Sequence, residues 1–548
     1  MQIISEWSRV EEILGCSLRD NFLMPVRTLD NPKSCTPIII DGGKQRWMVV
    51  PGIERGNVEG LTLPPDVTPL YMQRYFTFDD LDNTSMPRNL AEAVASVAGG
   101  AKELVVDAHL PVALQTQLAQ SFSLSVEDAP DVGPVCVREV SKQEVEARLT
   151  AGRAEAIAAV KRLLERNPNR AALSAHLDAT PAARFDELDR TLSEAGLAAV
   201  VVTSRINVQE IGGIPLASHM RPIAVVYAAG GKSAFVIERP GAGAAKQHAS
   251  IGAAISAILP TGRVGIETED MGVALSRAMG MSDRDHVPCD VPVRKWRDRI
   301  AGHDLAYYII AARTSAHAID NALSFASEAV KRGDPITEKD VDRVYFQGLQ
   351  DHVASTGLPL RVTRFMTNLH SGTRSLYAAN PTSYVITKEA RTLKIDSGCL
   401  IYDKAGYLLG VSDIARTISF TPEGHEIYPL LVDGVRRHMI PAAKAGAVAE
   451  DVFKTGVSAV WDRRHELKST RLTPEVAMPD VYKRDVGHLL GKNDLSHLRY
   501  IAGDKGVLRE GMISCLEYQW PIDGHSLAYE DTCLVTAQGG LNFTSDAE

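Results

Sequence analysis

Five ionisable side chains set inside apolar, strand-like runs constrain this chain more than any other feature. They are Asp396 in Lys394-Ile395-Asp396-Ser397-Gly398, Asp413 in Ser412-Asp413-Ile414-Ala415-Arg416-Thr417, His488 in Gly487-His488-Leu489-Leu490-Gly491, Glu517 in Ser514-Cys515-Leu516-Glu517-Tyr518, and Glu530 in Ala528-Tyr529-Glu530-Asp531-Thr532. Unpaired charge is costly to bury, so carboxylates on neighbouring apolar strands need a counter-charge. Four carboxylates and one imidazole form a ligand set for hard or borderline divalent cations, especially a pair sharing a water. Asp396 and Asp413 fall at the two ends of a hairpin predicted over 395–418, with its turn near Asp403-Lys404-Ala405-Gly406. Residues paired across a hairpin share a face, so both carboxylates can reach one site. Each residue alone has a plainer role, as a turn aspartate or a hydrogen-bonded core histidine. The order and the strand-like flanks together carry the signal.

The rest of the composition bounds the problem. A chain of 548 residues divides into two to four domains, and 45% hydrophobic with 23% charged residues is ordinary for a soluble globular protein. A net charge of −9 without a Lys/Arg block argues against a nucleic-acid partner. No basic segment followed by an apolar run opens the chain, and no apolar run approaches the roughly 18 residues that span a bilayer, so neither secretion nor a membrane is expected. Seven scattered cysteines without a Cys-x-x-Cys pair point to reduced thiols in a cytoplasm, acting as small buried hydrophobes.

The first 300 residues carry a diverged repeat. Two β-hairpins are predicted, 36–50 and 221–237, each folding two apolar runs around a Gly-Gly-Lys turn. Each is followed by a helix (90–98 and 251–258), a strand ending in an acid (103–107 and 263–267), a second helix beginning Val-Ala-Leu, and a Val-Arg dipeptide (Val137-Arg138 and Val293-Arg294). Matching order over about 100 residues suggests two α/β domains of one type. Between them 141–166 reads as one long, exposed, charged helix ended by Asn167-Pro168. Beyond Trp296 come a long Ala-rich helix over 300–330, a helix capped by Thr337, further helices over 432–443 and 448–460, and the strands that carry the five residues. The domains expected are thus 1–140, a connecting helix 141–175, 176–298, and a last domain 299–548 of helices over a bent antiparallel sheet.

With these residues in view, the last third resembles the pita-bread metallohydrolases, the family of aminopeptidase P, prolidase, methionine aminopeptidase and creatinase. Ile395-Asp396-Ser397-Gly398, Ser412-Asp413-Ile414-Ala415-Arg416-Thr417, Gly487-His488 with Gly491, Gly511-Met512-Ile513 leading to Glu517, and Glu530-Asp531 fall in that family's order. The segment 442–448 resembles its helix–Gly–helix link. The resemblance implies an α/β (α+β) fold: two creatinase-type N-terminal α/β domains followed by a C-terminal pita-bread catalytic domain, as in three-domain aminopeptidase P. It implies two divalent metal ions, with manganese first and zinc, cobalt or iron also compatible. Asp396 would bind one, His488 and Glu517 the other, and Asp413 and Glu530 both. The metals would activate a shared water, with Glu517 as its base and His497 contacting substrate as a second catalytic residue. A cytoplasmic homodimer and a small peptide or amino-acid-derived substrate follow from the same resemblance.

Departures from the family pattern cluster around the ligands. The histidine usual four residues before the ligand histidine is Arg484, which can hold a carboxylate or another anion. Another histidine expected upstream of the first Asp motif is missing from 376–381, and His370 lies too early to match it. Glu517-Tyr518-Gln519 replaces Glu-Pro-Gly, and Ala528 replaces an arginine. The two aspartates also stand farther apart than usual, by an even number of residues that preserves hairpin pairing. Three readings stay open: a dimetal exopeptidase for Xaa-Pro substrates, a dimetal hydrolase or lyase for a small non-peptide, and a non-catalytic scaffold, which the retained ligands oppose.

Overall fold

The computed structural model describes residues 1–22, 37–73, 86–128, 132–218, 222–241, 247–281, 284–376, 378–472, 482, 484–492 and 497–546, the Met366 side chain excepted. By packing, the chain forms two units, 1–151 with 182–296 and 152–181 with 297–548.

The first unit holds two mixed sheets. One is formed by β1 (Gln2–Ile4), β2 (Ile38–Asp41), β3 (Arg46–Pro51), β4 (Val67–Met72), β5 (Glu103–Val106) and β6 (Ser123–Val126), in the order β4-β3-β2-β1-β5-β6. The other is formed by β7 (Val135–Ser141), β8 (Ala199–Val202), β9 (Ala224–Ala228), β10 (Ser233–Glu238), β11 (Gln247–His248), β12 (Val264–Ile266) and β13 (His286–Pro288), in the order β11-β7-β10-β9-β8-β12-β13. The sequence repeat is real in topology. In each sheet a first strand pairs antiparallel with one arm of the Gly-Gly-Lys hairpin and parallel with the later strand that ends in an acid. The acids do the same work in both copies. Asp107 accepts from the Ser5 and Glu6 amides at the start of the helix Trp7–Leu14. Glu267 accepts from Thr203 N at 2.6 Å and Ser204 N at 2.8 Å, at the start of the helix Arg205–Gly212. An anion at a helix N-terminus satisfies orphan N–H groups and opposes the helix dipole.

Two details differ from expectation. The closing Val-Arg dipeptides are not equivalent: Val137 and Arg138 lie on β7, Val293 and Arg294 on the helix Asp290–Ile300. Strand β7 pairs with β10 and β11, so the end of the first copy completes the second sheet. The segment 141–166 is not one helix. It breaks at Gly152 (φ 77°) into Lys142–Leu149 and Arg153–Leu163, and the packing boundary falls at that break. The hairpin ends Thr36 and Arg221 lie outside the described residues.

In the second unit, the helices Arg153–Leu163 and Arg170–Asp178 join the C-terminal part of the chain, where Asn167 and Asn169 donate to the Asn542 carbonyl. The long helix Leu305–Arg332 packs on Glu338–Ser355, which starts with a full capping box between Thr337 and Asp340. One sheet has β15 (Arg361–Ser371), β17 (Thr392–Tyr402), β18 (Leu408–Val411) and β19 (Ile414–Ser419), with β17 pairing all three others. A second has β20 (Gly487–Leu489), β21 (Ile513–Ile522), β22 (His525–Val535) and β23 (Gly540–Asn542) in sequence order. A short pair, β14 (Ile336–Thr337) and β16 (Val385–Ile386), stands apart. The helix expected over 432–443 begins earlier, at Pro422, with Thr421 as its cap, and passes through a π-helical stretch Gly434–Met439. No helix among the described residues is long and apolar enough to cross a membrane.

Candidate metal centre

The site forms where β17 and β19 meet β21 and β22. The predicted hairpin exists, with Asp403 Oδ1 accepting from Gly406 N and Tyr407 N at 2.7 and 2.9 Å in its turn. Asp396 pairs with Ala415 across β17 and β19, and Asp413 lies two residues before Ala415, so both aspartates share a face diagonally. Gly398 makes the close pairing feasible: a Cβ there would sit 1.7 Å from the Ser412 carbonyl oxygen. On the other sheet, Glu517 stands directly opposite Glu530, and His488 opposite Cys515, two residues from Glu517 on the same face. Gly487 supports that register with φ 123°; a Cβ would lie 2.1 Å from the Cys515 carbonyl oxygen.

Asp413, His488 and Glu530 each offer a donor atom within 4.8 Å of the others, and all three are buried. The imidazole is oriented for ligation. His488 Nδ1 lies 2.9 Å from the Leu489 carbonyl oxygen and donates to it, which places Nε2 on the side of the acids, 3.8 Å from Asp413 Oδ2. Glu530 is 1% exposed, and neither of its carboxylate oxygens has a hydrogen-bond partner among the described residues. Burial, with Asp413, Glu517 and Asp396 nearby, pushes its carboxyl well above the usual range. Two glutamates facing each other across a ladder repel, and a buried acceptor without a donor is rare. A divalent cation resolves both conflicts, so the donor chemistry fits the expected metal.

Asp396 and Glu517 are dressed differently. Asn368 Nδ2 donates to Asp396 Oδ2 at 2.7 Å, and Gln519 Nε2 donates to that oxygen at 3.1 Å and to Glu517 Oε2 at 2.9 Å. Gln519 Oε1 in turn accepts from Lys394 Nζ at 2.9 Å, whose other partners are the Ser375 carbonyl at 2.9 Å and Ser526 Oγ at 3.3 Å. Burial pushes the Lys394 amine down to about 8, partly offset by Asp396. Beyond it on β15, His370 faces Lys394 in register, and burial with the neighbouring Lys394 and Arg374 holds its imidazole well below its usual value. Asn368, Lys394 and Gln519 were not anticipated from sequence. The signal existed: Lys394 and Gln519 each lie two residues from a ligand, on the same strand face.

The remaining expected residues are placed nearby or apart. Arg484 donates Nη1 to the Gln519 carbonyl oxygen at 3.0 Å, so it borders the same residue. His497 lies on a segment that pairs beside β20, and its Nδ1 bonds the Asp298 carboxylate; Asp494, Leu495 and Ser496 fall outside the described residues. Tyr518 donates to the Gly456 carbonyl oxygen at 2.6 Å and, with Trp520, belongs to the hydrophobic core. Thr417 bonds both the amide and the carbonyl of Ala528, zipping β19 to β22 where the family pattern has an arginine.

No protein-family model matches the chain, and no curated protein matches its sequence. Solved structures do match. The prolidase from Pyrococcus horikoshii OT3 is 19% identical with a TM-score of 0.49, covering 66% of this chain and 98% of its own. The Xaa-Pro dipeptidase from Bacillus anthracis is 17% identical with a TM-score of 0.48, covering 67% and 98%. The X-prolyl aminopeptidase from Caenorhabditis elegans, described as a cytosolic enzyme with a di-nuclear active site, is 10% identical with a TM-score of 0.57, covering 99% of this chain and 86% of its own. The chain therefore has, over nearly its whole length, the α/β and pita-bread fold of an X-prolyl aminopeptidase.

Proposed function

We propose that this chain is a divalent-metal-dependent hydrolase that cleaves a C–N bond of a small peptide or amino-acid-derived substrate, with Xaa-Pro peptidase activity as the first reaction to test. One observation carries the reading: Glu530, buried with both oxygens unpartnered among the described residues, offers a donor atom within 4.8 Å of those of Asp413 and His488. The fold shared with an X-prolyl aminopeptidase described as di-nuclear supports two cations, and manganese is the first to test. Bound there, divalent cations supply Lewis acidity, lowering the pKa of a water and polarising a carbonyl. Asp413, His488 and Glu530 would hold the metal side nearest β20, and Asp396 the other. Glu517 would accept the proton of the attacking water. Arg484, beside Gln519, would bind an anionic end of the substrate. The protein is proposed to act as a homodimer.

A second reading has a specific observation in its favour. The Gln519 carboxamide reaches the ligand carboxylates and the Lys394 amine bonds that carboxamide, where the family pattern has a glycine two residues after the ligand glutamate. These groups suit hydrolysis or elimination on a small, polar, non-peptide substrate. Turnover by the manganese-loaded protein of Xaa-Pro dipeptides, beside a panel of small amides and amino-acid derivatives, separates the readings. Cleavage of the dipeptides supports the first. Turnover confined to a non-peptide retires it, and inertness toward both, with no metal bound, refutes catalysis.

A further inference from the structure

The amide of Gln519 is an unusual link between two acids. It uses both N–H bonds, one on Asp396 Oδ2 and one on Glu517 Oε2, and so joins β17 to β21 through a single planar group. Its orientation follows from chemistry. A protonated lysine can only donate, so the carboxamide oxygen must face Lys394, and the NH2 group must face the carboxylates. Lys394 is itself held by the Ser375 carbonyl, in the short 3-10 helix Gly372–Leu376, and by Ser526 Oγ on β22. Neither Gln519 nor Asn368 donates to Asp413, His488 or Glu530.

We infer that Gln519, oriented by Lys394, is a positioning residue that fixes Asp396 against Glu517, one expected ligand of each cation, and thereby strengthens the binding of both. This rests on the dimetal reading above. Hydrogen-bonding partners behind metal ligands change metal affinity by about 10–100-fold when removed. Here that effect reaches both halves of the centre, because the two N–H bonds of the amide go to Asp396, expected on one cation, and to Glu517, expected on the other.

The test titrates metal-free full-length protein with Mn2+, counting free Mn2+ by electron paramagnetic resonance and reading spin coupling between bound ions. Wild type is expected to bind two, with a coupled signal at full loading. Gln519→Leu is expected to bind both equivalents about 10-fold or more weaker, with the coupled signal appearing only at correspondingly higher Mn2+. Lys394→Met is expected to do the same, and the double variant to be no worse than Gln519→Leu, because the lysine acts through the glutamine. Unchanged affinity for either equivalent in Gln519→Leu, or additive losses in the double variant, would overturn the inference. Wild type binding no Mn2+ would instead remove the dimetal reading beneath it.

Discussion

On one face of β22 the buried Asp531 carboxylate meets Arg416 at 2.6 Å, Arg436 at 3.0 Å, the Tyr529 hydroxyl at 2.9 Å and the Asn542 amide at 2.9 Å. On the other face, one residue back, the equally buried Glu530 carboxylate has no hydrogen-bond partner among the described residues and stands opposite Glu517. Burial would raise both carboxyls, but the guanidiniums hold Asp531 below its usual range while nearby acids push Glu530 higher. The difference separates structure from chemistry. A buried acid whose oxygens are all satisfied holds sheets together. A buried acid set among other acids without such donors has the chemistry of a cation ligand. Arg416 joins the two roles, since it pairs with Asp531 while donating to the Glu530 main-chain oxygen.

Removing Asp531 breaks the comparison most severely. Asp531→Ala strands Arg416 and Arg436 in the core, and chemical denaturation should find the protein about 3–5 kcal/mol less stable. A change below about 1 kcal/mol would mean that the pair is solvated in solution. Glu530→Gln should go the other way. Metal-free, it relieves repulsion among four acids and should be more stable than wild type by about 1 kcal/mol or more, while losing metal. Destabilisation of the metal-free variant would show that an unseen donor satisfies Glu530.

The same contrast predicts a pH dependence. The folded state keeps the Glu530 proton to higher pH than the unfolded chain does. Between the ordinary carboxylate range and that raised value the folded state binds more protons, so stability in chelator should fall as pH rises. Metal affinity should climb over the same window, because binding expels the proton. Denaturation midpoints across the window test this, and Glu530→Gln should flatten the curve. The mildest intervention is Asn368→Ala, which removes one of two amide donors from Asp396 Oδ2; about 0.5–1.5 kcal/mol of stability should go, with metal stoichiometry intact by elemental analysis.

Much of this was legible in the sequence. Asp396, Asp413, His488, Glu517 and Glu530 stood out because strand flanks, glycines and order reinforce one another locally, and the structure gathers Asp413, His488 and Glu530 as that pattern implies. Asp107 and Glu267 could be aligned because each ends an apolar strand of a repeated unit. What was missed depends on distant partners or on single residues. No local signal says that β7 leaves its own copy to pair with β10 nearly a hundred residues later. Gly152 alone breaks the charged helix, because its left-handed conformation ends what the neighbouring alanines and glutamates would continue. The Thr421-Pro422 start signal was present, yet the apolar run farther on drew the helix later than it begins. Gln519 is legible only once the opposing Asp396 is known to lie within its reach.

The account stands on Glu530 being a metal ligand. Elemental analysis and Mn2+ titration of the full chain, wild type against Glu530→Gln, test that directly. About two divalent cations per wild-type chain, and a variant that is folded but cannot be loaded, is the predicted result. A folded Glu530→Gln protein that binds as much metal as wild type would contradict it.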